Sequence, residues 1–182
     1  MPSAEEARPG QCPWCEAASR PPGGPLVVVG HGVRERQQRG PLEVGEPATM
    51  VVVRVRRYLC YACEQTCTVV PAEVTARRHY AATAIALAVA LYGVVGLTAS
   101  KVREQVSPWR VPEEATSWPT LRRWLCAIAQ GALFARVRRV PASFGRRQVA
   151  ERAATTLAAY APPPAAAWPI EHQAFAGAVA MA

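Results

Sequence analysis

The sequence contains no aspartate: all 13 acidic residues are glutamate. Two-metal phosphoryl transfer uses carboxylates, normally aspartates, to hold its ions about 4 Å apart. Scattered glutamates do not make such a set, and no compact arginine, histidine and nucleophile constellation of a serine or tyrosine recombinase stands out. No enzymatic activity is expected. Lysine is nearly as scarce, since Lys101 is the single exception among 21 basic residues and the rest are arginine. A secretory leader is not visible either, because "MPSAEEARPG" has neither a basic start nor an apolar core, so a reducing cytoplasm is the expected compartment. Long apolar runs are limited to one, "YAATAIALAVALYGVVGLTAS" at residues 80–100. It is long enough to cross a bilayer, but alanine contributes little to insertion compared with leucine or isoleucine. Gly93 and Gly96 also stand where a helix end would fall. A buried helix followed by a turn is a better account than a membrane span.

What the chain does have is a sizeable apolar content and a lopsided charge. Its 182 residues, 51% of them hydrophobic, suffice for one medium domain or two small ones. The net charge of +8 is carried by guanidinium groups, whose planar forks suit phosphates and guanine edges, so nucleic acid is the first partner implied. The charge is concentrated: residues 76–152 hold 13 Lys or Arg against 4 Glu, whereas the remainder holds 8 against 9.

The fold class read from the pattern is α+β, a small β domain followed by an all-α domain. "PLVVVGHGV" and "TMVVVRVRRYL" are rich in β-branched residues, and Val53 and Val55 alternate with Arg54 and Arg56 as in a half-buried strand. Between them "RERQQRGPLEVGEP" reads as a loop or an added hairpin. Helical patterning follows, with a first helix from residue 80 to about 92 and a second over 98–106. A third starts near Ser117, with Ser117 placed to cap it and Pro119 in its first turn. Leu121, Trp124, Leu125 and Ile128 give this third helix one apolar face and leave Arg122 and Arg123 on another. A fourth helix in "SFGRRQVAERAATTLAAYA" stops at "PPP". The domains are therefore expected at 10–75 and 76–161, followed by a Pro/Ala-rich tail at 162–182.

Cysteine is where the chemistry lies. "CPWC" at Cys12 and Cys15 and "CYAC" at Cys60 and Cys63 repeat one spacing across a gap of 44 residues. Zinc takes four soft ligands in a tetrahedron, and two C-x-x-C turns supply them as a closed structural site. The strands between the pairs can bring the second turn back beside the first, which is the logic of a zinc ribbon with an inserted loop. A redox pair and unrelated buried cysteines are the competing accounts, and a redox motif would need a βαβ setting that the pattern lacks. Cys67 reads as a small core residue on the next strand, Cys126 as core packing on the third helix, and His31 as structural or exposed.

"RRYLCYACEQTCTVVPAEVTARRHY", the uncharged helix after it and then "TSWPTLRRWL" resemble the zinc-ribbon plus helix-turn-helix arrangement of bacterial transposase-related DNA-binding proteins. The similarity extends over roughly residues 10 to 135. It implies Zn2+ at Cys12, Cys15, Cys60 and Cys63, and DNA contact by the helix containing Thr120, Arg122 and Arg123. The chain departs from the family pattern at Glu16 and Glu64, where a knuckle glycine is common, and at Cys67, where an aromatic residue is usual. The link "SPWRVPEEAT" between the second and third helices is also longer than the usual turn. The residues point to the same helix on physical grounds, because a recognition helix offers its first turns to base edges while its apolar face docks. Arg136, Arg138, Arg139, Arg146 and Arg147 would add phosphate contacts. The implied partner is double-stranded DNA, in an accessory or remnant of a mobile element or in a transcriptional regulator. A homodimer or a transposition partner protein is a further partner to consider, and no small-molecule substrate is expected. A protein-docking zinc module with a membrane- or oligomer-contacting apolar helix is the alternative from another class.

Overall fold

The β-branched stretches form a three-stranded antiparallel sheet in the order β1 (Val28–Gly40), β2 (Thr49–Cys60), β3 (Thr66–Val69). In the computed structural model, residues 2–181 are described except 72, 73, 76, 77, 111, 113 and 115. β3 is joined to β2 by the second cysteine turn, with Tyr58 opposite Cys67 and Leu59 opposite Thr66. β1 runs further than its sequence pattern indicates, through the arginine-rich stretch read as a loop. Its end is held by backbone pairing: Arg39 N–H donates to the His79 carbonyl at 2.8 Å, and Ala81 N–H donates to the Arg39 carbonyl at 3.0 Å.

Two compact units result, Met1–Gln37 with Val52–Pro71, and Gln38–Val51 with Ala72–Ala182. Residues 38–51, expected within the ribbon, thus belong with the helices. The boundary expected at residue 76 lies outside the described residues.

The first unit has a small core in which Val28 and Tyr58 pack with Cys12 and Cys60. The buried Tyr58 hydroxyl donates to the Ala4 carbonyl at 2.8 Å, the partner a buried phenol requires. Burial also pushes the Tyr58 phenol above its ordinary range. So little apolar surface is a marginal basis for a fold, and such units usually draw on a metal or a covalent link.

The second unit is organised around α1 (Ala82–Gly93), whose residues 82–91 are all buried. A helix apolar on every side belongs inside a bundle. Alanine and glycine let its neighbours come close, these being α2 (Ala99–Val106), α3 (Pro119–Ala129), α4 (Arg146–Ala158) and α5 (Ile170–Gly177). A Cβ on Gly93 would lie 2.4 Å from the backbone nitrogen of Glu151, and one on Gly40 would lie 2.2 Å from the Ala84 Cβ. The uncharged run of residues 80–100 is thereby split. α1 closes with Leu97 N–H donating to the Leu91 carbonyl at 2.9 Å around Gly96, a left-handed glycine at φ +84°. Among the described residues no helix is long and apolar enough to cross a membrane.

α3 is anchored by three rings. Tyr80, Trp118 and Trp124 meet edge to face with centroids 5.0–5.8 Å apart, and the Tyr80 hydroxyl donates to Ser107 Oγ at 3.2 Å. Trp118, not Ser117, occupies the N-cap position, and no side chain caps α3; Pro119 in its first turn leaves one N–H fewer to satisfy. Residues 162–182, read as a tail, carry α5, with Ala174 and Phe175 buried. α5 packs on α1 and α4 so tightly that a Cβ on Gly177 would lie 1.9 Å from the Leu157 carbonyl oxygen.

That contact yields a test. Gly177→Ala is expected to cost about 1–3 kcal/mol through overpacking, lowering the thermal midpoint of the helical unit. Gly10→Ala, with nothing within 4 Å of the added carbon, should leave unfolding unchanged when both are followed by circular dichroism.

Candidate metal centre and basic cleft

Each C-x-x-C turn closes by the same set of backbone bonds. Glu16 N–H donates to the Cys12 carbonyl at 3.0 Å and Cys12 N–H donates to the Ala17 carbonyl at 2.9 Å. In the second turn Glu64 N–H donates to the Cys60 carbonyl at 2.8 Å and Cys60 N–H donates to the Gln65 carbonyl at 3.0 Å. Antiparallel pairing flanks both, as the Gln11–Ala18 bridge around the first and β2–β3 around the second. To close this way the residue after the second cysteine must turn left-handed, and Glu16 and Glu64 do so at φ +60° and +59°. Glycine is the residue that takes this conformation without strain.

The two turns bring the four sulfur atoms within 4.8 Å of one another. Cys12 Sγ lies 3.7 Å from Cys63 Sγ, and Cys15 Sγ lies 3.7 Å from Cys60 Sγ. All four cysteines are free thiols. A tetrahedral ion with sulfur bonds of about 2.3 Å has sulfur–sulfur edges of about 3.8 Å, so the donor set and its spacing fit a thiophilic metal.

Electrostatics also favour a cation there. Burial disfavours the Cys12 thiolate, but N–H groups of Cys15 and Trp14 outweigh it and bring Cys12 down to about 7. Cys63 goes the other way: the Gln65 N–H favours its thiolate, yet burial and the sulfurs of Cys15, Cys12 and Cys60 push it up to about 12. Cys15 is raised as well. One negative charge is accepted readily and the next ones are opposed, a repulsion that a bound cation would reverse. Cys67 is half-buried on β3 and is not one of the four. His31 is exposed.

The proposed DNA-contacting residues are spread over the second unit. Arg122 and Arg123 stand exposed on α3 opposite the buried Leu121, Trp124, Leu125 and Ile128, and Thr120 is half-buried. Arg136, Arg138 and Arg139 lie exposed in the connection after α3, with the Arg136 guanidinium 5.5 Å from the Tyr160 ring centre. Three are brought together, because Arg122, Arg146 and Arg147 line one cleft of about 430 Å³. Arg147 is also engaged internally. It donates to the Tyr92 carbonyl at 2.6 Å and the Leu97 carbonyl at 3.3 Å, and lies 4.5 Å from the Tyr92 ring centre. Sequence reasoning misplaced Cys126, which is exposed beside Arg122, Arg123 and Gln130; it lies four residues after Arg122, one helical turn along the same face. The cleft was legible only as separate arginines, since it joins the starts of two helices that are distant in sequence. α3 itself packs on α4 and α1, and residues 107–118 separate it from α2.

No protein-family description, curated protein or solved structure matches the chain.

Two results follow for the cysteine centre. Elemental analysis of purified protein should find one metal ion per chain. Cys60→Ser with Cys63→Ser should abolish it and unfold the first unit, while Cys67→Ser and Cys126→Ser retain it. Glu64→Gly should keep metal and stability, whereas Glu64→Val should cost about 1–2 kcal/mol, because a β-branched residue resists the left-handed conformation.

Proposed function

We propose that this protein binds double-stranded DNA, with zinc in the four-cysteine site as a structural ion and the second unit as the DNA-contacting part. In this reading it is a binding protein rather than an enzyme. It is a zinc-ribbon and helix-turn-helix variant serving a mobile element as an accessory or remnant, or acting as a transcriptional regulator. The observation that carries the reading is the set of exposed arginines on the second unit. Arg122, Arg123, Arg138, Arg139 and Arg146 are all exposed, and among the described residues none of them is ion-paired. Arginines in that state attract phosphates and release counterions on contact. α3 supports the same reading, because its apolar face is fixed by packing while its opposite face offers side chains of the kind that reach base edges. The long connection before α3 makes this a departure from the compact helix-turn-helix. Zinc is favoured over other ions by the all-thiolate donor set and its tetrahedral spacing.

Fluorescence anisotropy with a duplex oligonucleotide at 50 and 200 mM salt tests the proposal. Affinity should fall steeply with salt, and Arg138→Gln with Arg139→Gln should reduce the slope of log K against log salt by about 2. Binding that is absent, or indifferent to salt, would sink the DNA reading and favour a protein-docking module.

A further inference from the structure

The cleft holding Arg122, Arg146 and Arg147 is not explained by its own packing. Arg146 and Arg147 are the first two residues of α4. That end of a helix carries the positive pole of its dipole, where anions are favoured and cations are not. No acidic residue occupies the first turn, and the side chain that caps it, Gln148 accepting from the Gly145 N–H at 2.8 Å, is neutral. Arg122 of α3 adds a third guanidinium to the same hollow. Arg147 is compensated by neutral carbonyls and the Tyr92 ring, and among the described residues none of the three arginines is ion-paired. Like charges gathered without an acidic partner break a local rule, and such breaks are expected at functional sites.

We infer that this cleft is a binding site for a phosphate monoester. At neutral pH a monoester carries close to two negative charges and three acceptor oxygens, and arginine forks meet such groups with paired, charge-assisted bonds. Hydroxyls of Thr116 and Ser117 lie on the rim as further donors, while Trp118, Leu121 and Leu125 supply an apolar wall. The volume is within the range of small-ligand sites and exceeds what a bare phosphate fills, so the phosphate is expected to arrive attached to a ring. A free nucleotide and the 5′-phosphate at a DNA end share that chemistry. The assignment uses two arginines of the DNA-facing surface but stands whether or not duplex DNA binds.

Isothermal titration of the full chain with inorganic phosphate, adenosine monophosphate and adenosine tests it, alongside duplexes carrying a 5′-phosphate or a 5′-hydroxyl. Adenosine monophosphate should bind more tightly than phosphate, and adenosine should not bind. Arg122→Gln or Arg146→Gln should weaken binding about tenfold or more, while Arg54→Gln in the sheet leaves it unchanged; thermal melts establish that each variant is folded. Tighter binding of the phosphorylated duplex end, lost in the same variants, identifies the DNA end as the source, and equal binding of both duplexes identifies the free nucleotide. Failure of both phosphate and adenosine monophosphate to bind, equal affinity for adenosine, or equal weakening by Arg54→Gln would overturn the site. Duplex affinity measured without a terminal phosphate reports on the DNA reading separately.

Discussion

Four thiols crowded into one small volume impose the central constraint on the first unit. The sulfurs of Cys12 and Cys60 belong to its core as much as Val28 and Tyr58 do, so whatever governs their ionisation also governs the packing. Without a cation, successive thiolates repel; with one, the same proximity becomes attraction. Everything else in the unit serves that arrangement. The two turns are congruent bond for bond, strand pairing flanks each, and a glutamate at each turn adopts a left-handed backbone that residues other than glycine seldom take. The strain is tolerated because the geometry is over-determined by the surrounding bonds.

The second unit rests on a different constraint, the close approach of backbones. α1 is rich in alanine, and Gly93 at its end and Gly177 on α5 meet neighbouring backbone at distances no side chain permits. Such packing gains little per residue from apolar area, but leaves few gaps and many contacts. The aromatic weight lies at one place, the Tyr80, Trp118 and Trp124 cluster, which fixes α3 with its arginines on the open side. The basic face is a by-product of which residues this packing leaves outside.

Much of this was legible in the residues. The double C-x-x-C pointed to the four cysteines that the fold brings together, because spacing and residue type suggest a knuckle. The strand over "TMVVVRVRRYL" and the apolar face of α3 followed from periodicity. The extension of β1 did not, since its arginines and glutamines look like loop and are strand only through pairing with β2 and, at Arg39, with residues 79–81. Cys126 was misread because its residue type suggests burial, while its position one turn after Arg122 places it with the solvent-facing side. α5 was missed because alanine is silent about packing partners; its role rests on Gly177 meeting the Leu157 carbonyl, a contact between segments with no sequence signature. The convergence of Arg122 and Arg146 was hidden for the same reason.

The chain passes between its two units three times, after residues 37, 51 and 71. During synthesis the first cysteine pair therefore emerges well before the second, and a segment destined for the helical unit is made in between. Neither unit can be completed until the chain is translated past residue 71, so Cys12 and Cys15 wait as open thiols while the ribosome delivers their partners. An ion captured in that interval would meet two sulfurs of the four, so the complete donor set exists only once Cys63 has been made.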